Sequence, residues 1–127
     1  MVDASVVVSA VFAGRGLEHL PRDVIAPPLL WSEARSAIRL AGWRGQLSAA
    51  GADTAHERLL TVPIQRRDPP ELGLEAWEVA REMGWARTYD AEYVALARLA
   101  GCRLLTEDQR LRRGADRLGI VIVPEEL

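Results

Sequence analysis

The chain has 127 residues, 49% of them hydrophobic and 27% charged, and a formal net charge of -2. Its size fits a single globular domain over residues 1–127 that buries a core without disulfides or a structural metal, and the near-neutral charge excludes any general attraction to nucleic acid beyond local arginine clusters. All 16 basic residues are arginines, which excludes a lysine-bearing phosphate loop and Schiff-base chemistry, and no apolar run approaches the roughly 20 residues of a membrane helix.

The opening segment, VDASVVVSAVF over residues 2–12, reads either as one strand or as a short strand followed by a helix from about Ser5, and serine is a good N-cap. No basic segment with an apolar stretch and cleavage site precedes it, so a cytoplasmic location is expected. DVIAPP is a short strand stopped by Pro27 and Pro28. From Leu29 to about Ala41, residues Leu30, Ala34, Ala37, Ile38 and Ala41 fall on one apolar helical stripe, with Arg35 and Arg39 turned away from it. A helix is expected over 46–60, then TVPIQRR as a short strand or extended connection. Pro69 and Pro70 open a helix through about Met83, ended by Gly84. Residues 90–100 form an alanine-rich helix closed by Gly101, and CRLLT is a core strand in which Cys102 packs as a small apolar side chain. An arginine-rich helix follows, and GIVIV is the last strand. Strands alternating with helices predict a parallel sheet covered on both faces, a class whose sites lie at the carboxyl ends of the strands.

Four acids stand where such a site would form. Asp3 either joins a site at the first strand end or simply starts a turn. Glu33 borders the apolar stripe of its helix, though a glutamate near a helix start is also favoured by the helix dipole. Asp90 shares a face with Tyr93, Val94 and Ala97, and the dipole is again an alternative. Asp108 follows the CRLLT strand and is either a helix N-cap or a site residue. Glu92 and Glu107 lie nearby and read as solvated or supporting groups. Two carboxylates ~5 Å apart at an effective dielectric of about 20 repel by roughly 3 kcal/mol, so four in one place require a cation. An all-oxygen set without His or Cys favours Mg²⁺ or Mn²⁺, and carboxylate-held ions of this kind suit phosphodiester hydrolysis by an activated water.

The ordered stretches VDASV, PPLLWSEARSAI, TYDAEYVALARLAG and LLTEDQRL resemble the PIN-domain nucleases, and within them the VapC-type toxins of bacterial toxin–antitoxin pairs. The likeness runs over essentially the whole chain. It implies an α/β fold, a three-layer α/β/α sandwich around a central parallel sheet. Asp3, Glu33, Asp90 and Asp108 match the family's acidic, catalytic residues that bind Mg²⁺ or Mn²⁺. Ser5 and Thr106 match the hydroxyl residues that support them, and Tyr93 matches an aromatic read as packing. It further implies metal-dependent RNA cleavage, a homodimer, and inhibition by a cognate VapB-type antitoxin. In departure from the pattern, only two residues precede Asp3, and Glu92 and Glu107 add negative charge.

Two other classes compete. A phosphoacceptor receiver domain shares the parallel sheet and its acids but requires a lysine. A non-cleaving metal- or RNA-binding module, working mainly in complex with an antitoxin, keeps every motif. Arg110, Arg112, Arg113 and Arg117 read as a solvated helix face, with phosphate contacts by Arg112 and Arg113 as the functional alternative. The four tryptophans could stack bases, but Trp31 and Trp77 read as core or interface residues, and Trp43 and Trp85 as part of a dimer or antitoxin surface. His19 and His56 read as surface residues.

Overall fold

The computed structural model describes residues 1–14, 23–119 and 121–122; His19 lies outside them, as does the side chain of Arg117. The opening segment takes the second of its two readings. Val2 bridges Leu105 in parallel, and the helix α1 then runs Ala4–Ala13. Its valines are poor helix formers in isolation. Four residues, Val6, Val7, Ala10 and Val11, are buried, so packing outweighs propensity.

β1 (Ile25–Ala26) pairs in parallel with β2 (Gln65–Arg66), and β3 (Leu104–Leu105) in parallel with β4 (Val121–Ile122). Residues 1–3 join the two pairs. The Val2 N–H donates to the Ile25 carbonyl at 3.3 Å, and the Asp3 N–H to the Leu105 carbonyl at 3.2 Å. The resulting order is β2, β1, residues 1–3, β3, β4, with β1 parallel to β2 and residues 1–3, β3 and β4 parallel to one another.

Between the strands lie α2 (Leu29–Trp43), α3 (Ala49–Leu60), α4 (Leu72–Met83), α5 (Tyr89–Ala100) and α6 (Gln109–Ala115). Leu30, Ala34, Ile38 and Ala41 of α2 are buried, as the stripe requires, with Ala37 half-buried. α3 starts three residues later than expected, because Ser48 caps it by accepting the Gly51 N–H at 2.9 Å. α4 and α5 end on Gly84 and Gly101, both left-handed, the conformation glycine adopts without a Cβ penalty.

α1, α2 and α3 pack on one another, α4 packs on α5, α5 touches β3 and α6 touches β4. Val2, Ala26, Leu104 and Leu105 share one apolar core with both helix groups. This is the helix-covered parallel α/β fold expected from the alternation of elements.

The tryptophans divide between core and surface. Trp77 is 63% exposed and outside the core. Trp85 packs against the core, while Trp43 is open at 75% and Trp31 is half-buried. Cys102 is also half-buried rather than enclosed.

Candidate acidic active site

Asp3 is the N-cap residue of α1, yet its carboxylate makes no capping bond. Both oxygens are held by hydroxyls instead. Ser5 Oγ donates to Oδ1 at 2.6 Å and Thr106 Oγ1 donates to Oδ2 at 2.5 Å. The same hydroxyls accept from the chain leaving β3. Glu107 N–H reaches Ser5 Oγ at 3.0 Å, and Asp108 N–H reaches Thr106 Oγ1 at 2.9 Å. Ser9, one turn along α1, donates to Glu107 Oε2 at 2.6 Å. α1 and the turn after β3 are thus laced together around one carboxylate that is only 4% exposed.

Burial penalises the charged form of Asp3 and pushes its carboxyl up to about 6 against the two hydroxyl bonds, and Asp108 adds repulsion. Glu33 is raised by burial, then by Asp90 and Asp108, while its bond from Tyr93 opposes the rise. Asp90 is raised by burial and by Asp108, with Arg110 opposing. Asp108 therefore acts on all three other acids, and Asp90 on Glu33. Among the described residues no three His, Cys, Asp or Glu side chains converge as ligands. Charge gathers here without a closed cage.

Glu33 lies past the first turn of α2, beyond the reach of the helix dipole, so the dipole does not explain it. Asp90 does lie in the first turn of α5. Asp108 fills both of its readings: its Oδ1 caps α6 by accepting the Arg110 and Leu111 N–H groups at 2.9 and 3.3 Å, while its charge reaches the other acids. The donors on hand are carboxylates and hydroxyls, a set that fits a hard divalent cation and not a soft one.

The PIN domain model matches residues 1–117. The chain belongs to the PIN-domain family. Similar to this PIN domain are VapC ribonuclease Mb0985 of Mycobacterium bovis and ribonuclease VapC9 of Mycobacterium tuberculosis, each 31% identical over 98% of both chains. Ribonuclease VapC3 of Mycobacterium tuberculosis is 39% identical over 69% of this chain and 62% of its own length. The crystal structure of PAE2754 from Pyrobaculum aerophilum superposes with a TM-score of 0.75 at 26% identity, covering 98% of this chain and 88% of that one.

Two residues of this PIN domain go beyond the sequence reading. Tyr93, expected only to pack, is buried and donates its hydroxyl to Glu33 Oε1. Burial and the Glu33 charge both push the phenol up, so it remains a donor. A phenol on a packed helix face needs an acceptor, and that was the available signal. Arg110 comes within 3.9 Å of Asp108 Oδ2 and steadies Asp90. Arg112 and Arg113 occupy the last turn of α6, at the end away from its Asp108 cap.

Proposed function

We propose that this PIN domain is a VapC-type endoribonuclease, the toxin of a type II toxin–antitoxin pair, acting with Mg²⁺ or Mn²⁺ held by Asp3, Glu33, Asp90 and Asp108. The observation that carries the reading is the mutual repulsion centred on Asp108, beside the buried Asp3 that two hydroxyls hold in place. Buried like charges raise one another's pKa and cost stability unless a cation joins them. The names of the mycobacterial relatives support RNA as the substrate.

A bound divalent ion supplies positive charge for the phosphate and lowers the pKa of a water. The chain's own residues do the rest. Ser5 and Thr106 fix both oxygens of Asp3, and Tyr93 orients Glu33. Glu33 and Asp90, both half-buried beside Asp108, would help to hold the ion and orient the attacking water. Hydrolysis joins the water oxygen to phosphorus and breaks the bond to one ribose oxygen, which leaves with a proton. A cognate VapB-type antitoxin, a homodimer and a cytoplasmic location belong to the same reading. Among the described residues no helix is long and apolar enough to cross a membrane.

Single-turnover cleavage of a panel of structured RNAs in Mg²⁺ or Mn²⁺ tests the proposal. Wild type cuts, and Asp3→Ala and Asp90→Ala do not, with far-ultraviolet circular dichroism unchanged. Unaltered Mg²⁺-dependent cleavage by both variants would remove the assignment. Metal binding without cleavage of any RNA would leave the non-cleaving module.

A further inference from the structure

On the β2 side of the sheet lies a basic and aromatic patch that the acidic residues do not use. β2 pairs with β1 alone among the described strands, and its residues Gln65 and Arg66 are exposed. Ala26 pairs with Arg66, and the Arg67 N–H donates to the Ala26 carbonyl at 2.9 Å. Both arginines therefore stand at the carboxyl end of their strand, next to the prolines that lead into α2. The Arg66 guanidinium lies 4.9 Å from the ring centroid of Trp31, in the first turn of α2. Trp31 is packed against the core, so the ring is an anchored base for the cation. Arg67 donates to Gln65 Oε1 at 3.1 Å. Among the described residues neither arginine forms an ion pair.

The patch adjoins the helix that carries one of the acids: Trp31, under Arg66, and Glu33 both lie in the N-terminal part of α2, two residues apart. A polyanion approaching four carboxylates meets repulsion, and cations on the flank offset it. A guanidinium seated over an indole has already lost much of its rotamer freedom. Its edge keeps N–H donors for phosphate, and its outer face can stack on a base.

We propose that Trp31, Arg66 and Arg67 form a platform for one nucleotide of single-stranded substrate RNA, Arg66 stacking on the base and meeting one phosphate through its edge, and Arg67, which leaves the strand on the Gln65 side, meeting the next phosphate. The proposal rests on the ribonuclease reading for its ligand. Single-stranded RNA is specified because a paired base has no free face to stack.

The full chain carrying Asp90→Asn keeps the RNA intact and serves as parent. A short, unstructured, fluorescein-labelled RNA is titrated across a salt series by anisotropy. Adding Arg66→Ala weakens binding about tenfold. Adding Arg67→Ala as well flattens the slope of log affinity against log salt by about 1.4 in total. Arg66→Lys restores the slope but not the affinity, because an ammonium does not stack as a guanidinium does. A double variant with parent-like affinity and slope overturns the platform. So does unchanged RNA binding with loss of affinity for the co-expressed antitoxin, which assigns the patch to the protein partner. RNA cleavage by the wild-type chain is assayed in parallel. If it is absent, the ribonuclease reading fails, while arginine-dependent binding still decides the platform.

Discussion

Tyr93, on the buried face of α5, donates its hydroxyl to the carboxylate of Glu33 on α2, sixty residues earlier in the chain. The bond joins two helices that come from different helix groups of the fold, and it favours the charged form of Glu33. Removing it with Tyr93→Phe keeps the ring and leaves a half-buried carboxylate without its donor. The Glu33 pKa then rises further, so the acidic limb of the pH–rate profile moves to higher pH. Stability falls by about 1 kcal/mol, less than for a fully buried charged bond, because Glu33 is only half-buried. Mn²⁺ affinity falls several-fold in calorimetry. An unshifted profile with unchanged Mn²⁺ affinity would return Tyr93 to packing alone.

Asp3 makes stability depend on pH. Its carboxyl titrates near 6 in the fold against an ordinary 3.8, so folding takes up a proton between those values. With more protons bound in the native state, stability is highest at about pH 4 and declines as pH rises to about 6, then levels. The whole effect is at most about 3 kcal/mol. Urea unfolding across this range in the presence of a chelator reads the decline. Asp3→Asn, which cannot ionise, flattens this contribution. Added Mg²⁺ stabilises wild type more at pH 7 than at pH 5, because the ion competes with the proton. A wild-type curve that matches Asp3→Asn would place the Asp3 carboxyl at an ordinary pKa.

Thr106 is fully buried, and its hydroxyl both donates to Asp3 and accepts the Asp108 N–H. Thr106→Val has nearly the same shape but leaves a buried carboxylate oxygen and a backbone N–H without this partner. The expected cost is about 2 kcal/mol in urea unfolding. Cleavage should fall with it, because the turn that carries Asp108 loses a tether. Thr106→Ser recovers most of both. If valine were tolerated in both assays, the hydroxyl would have no part in holding Asp3.

Much of this architecture is legible along the chain. The stripe of α2, the glycines that end α4 and α5, and the hydroxyl–acid pairs Asp3/Ser5 and Thr106/Asp108 are local patterns, and local physics decides them. Trp77 was legible too: it follows Ala76 by one residue, about 100° around the helix from a stripe of Leu72, Ala76, Val79 and Ala80. What could not be read depends on distant partners. Residues 1–3 lie between β1 and β3 because of hydrogen bonds to Ile25 and Leu105, which no spacing encodes. Among the arginines after Asp108, Arg110 steadies Asp90. A run of like residues on a helix says nothing of which one faces a carboxylate on another element.

Gly114 of α6 packs against the Trp85 ring in the turn after α4. It lies inside α6, where glycine normally weakens a helix by about 1 kcal/mol relative to alanine. A Cβ added there, however, would sit 2.7 Å from Cζ2 of the Trp85 ring. Trp85 packs against the core just after the Gly84 cap, so the indole cannot swing away freely. The steric term exceeds the propensity gain, and Gly114→Ala is expected to destabilise by about 1–3 kcal/mol, as overpacking does elsewhere. Because Asp108 caps the same helix, displacement of α6 also carries its carboxylate away from Asp3, and Mn²⁺ affinity should drop together with the urea midpoint. The double change Gly114→Ala with Trp85→Phe gives the new methyl room and recovers part of the midpoint. A stabilised single variant would show that the helix, not the ring, sets the balance at this contact.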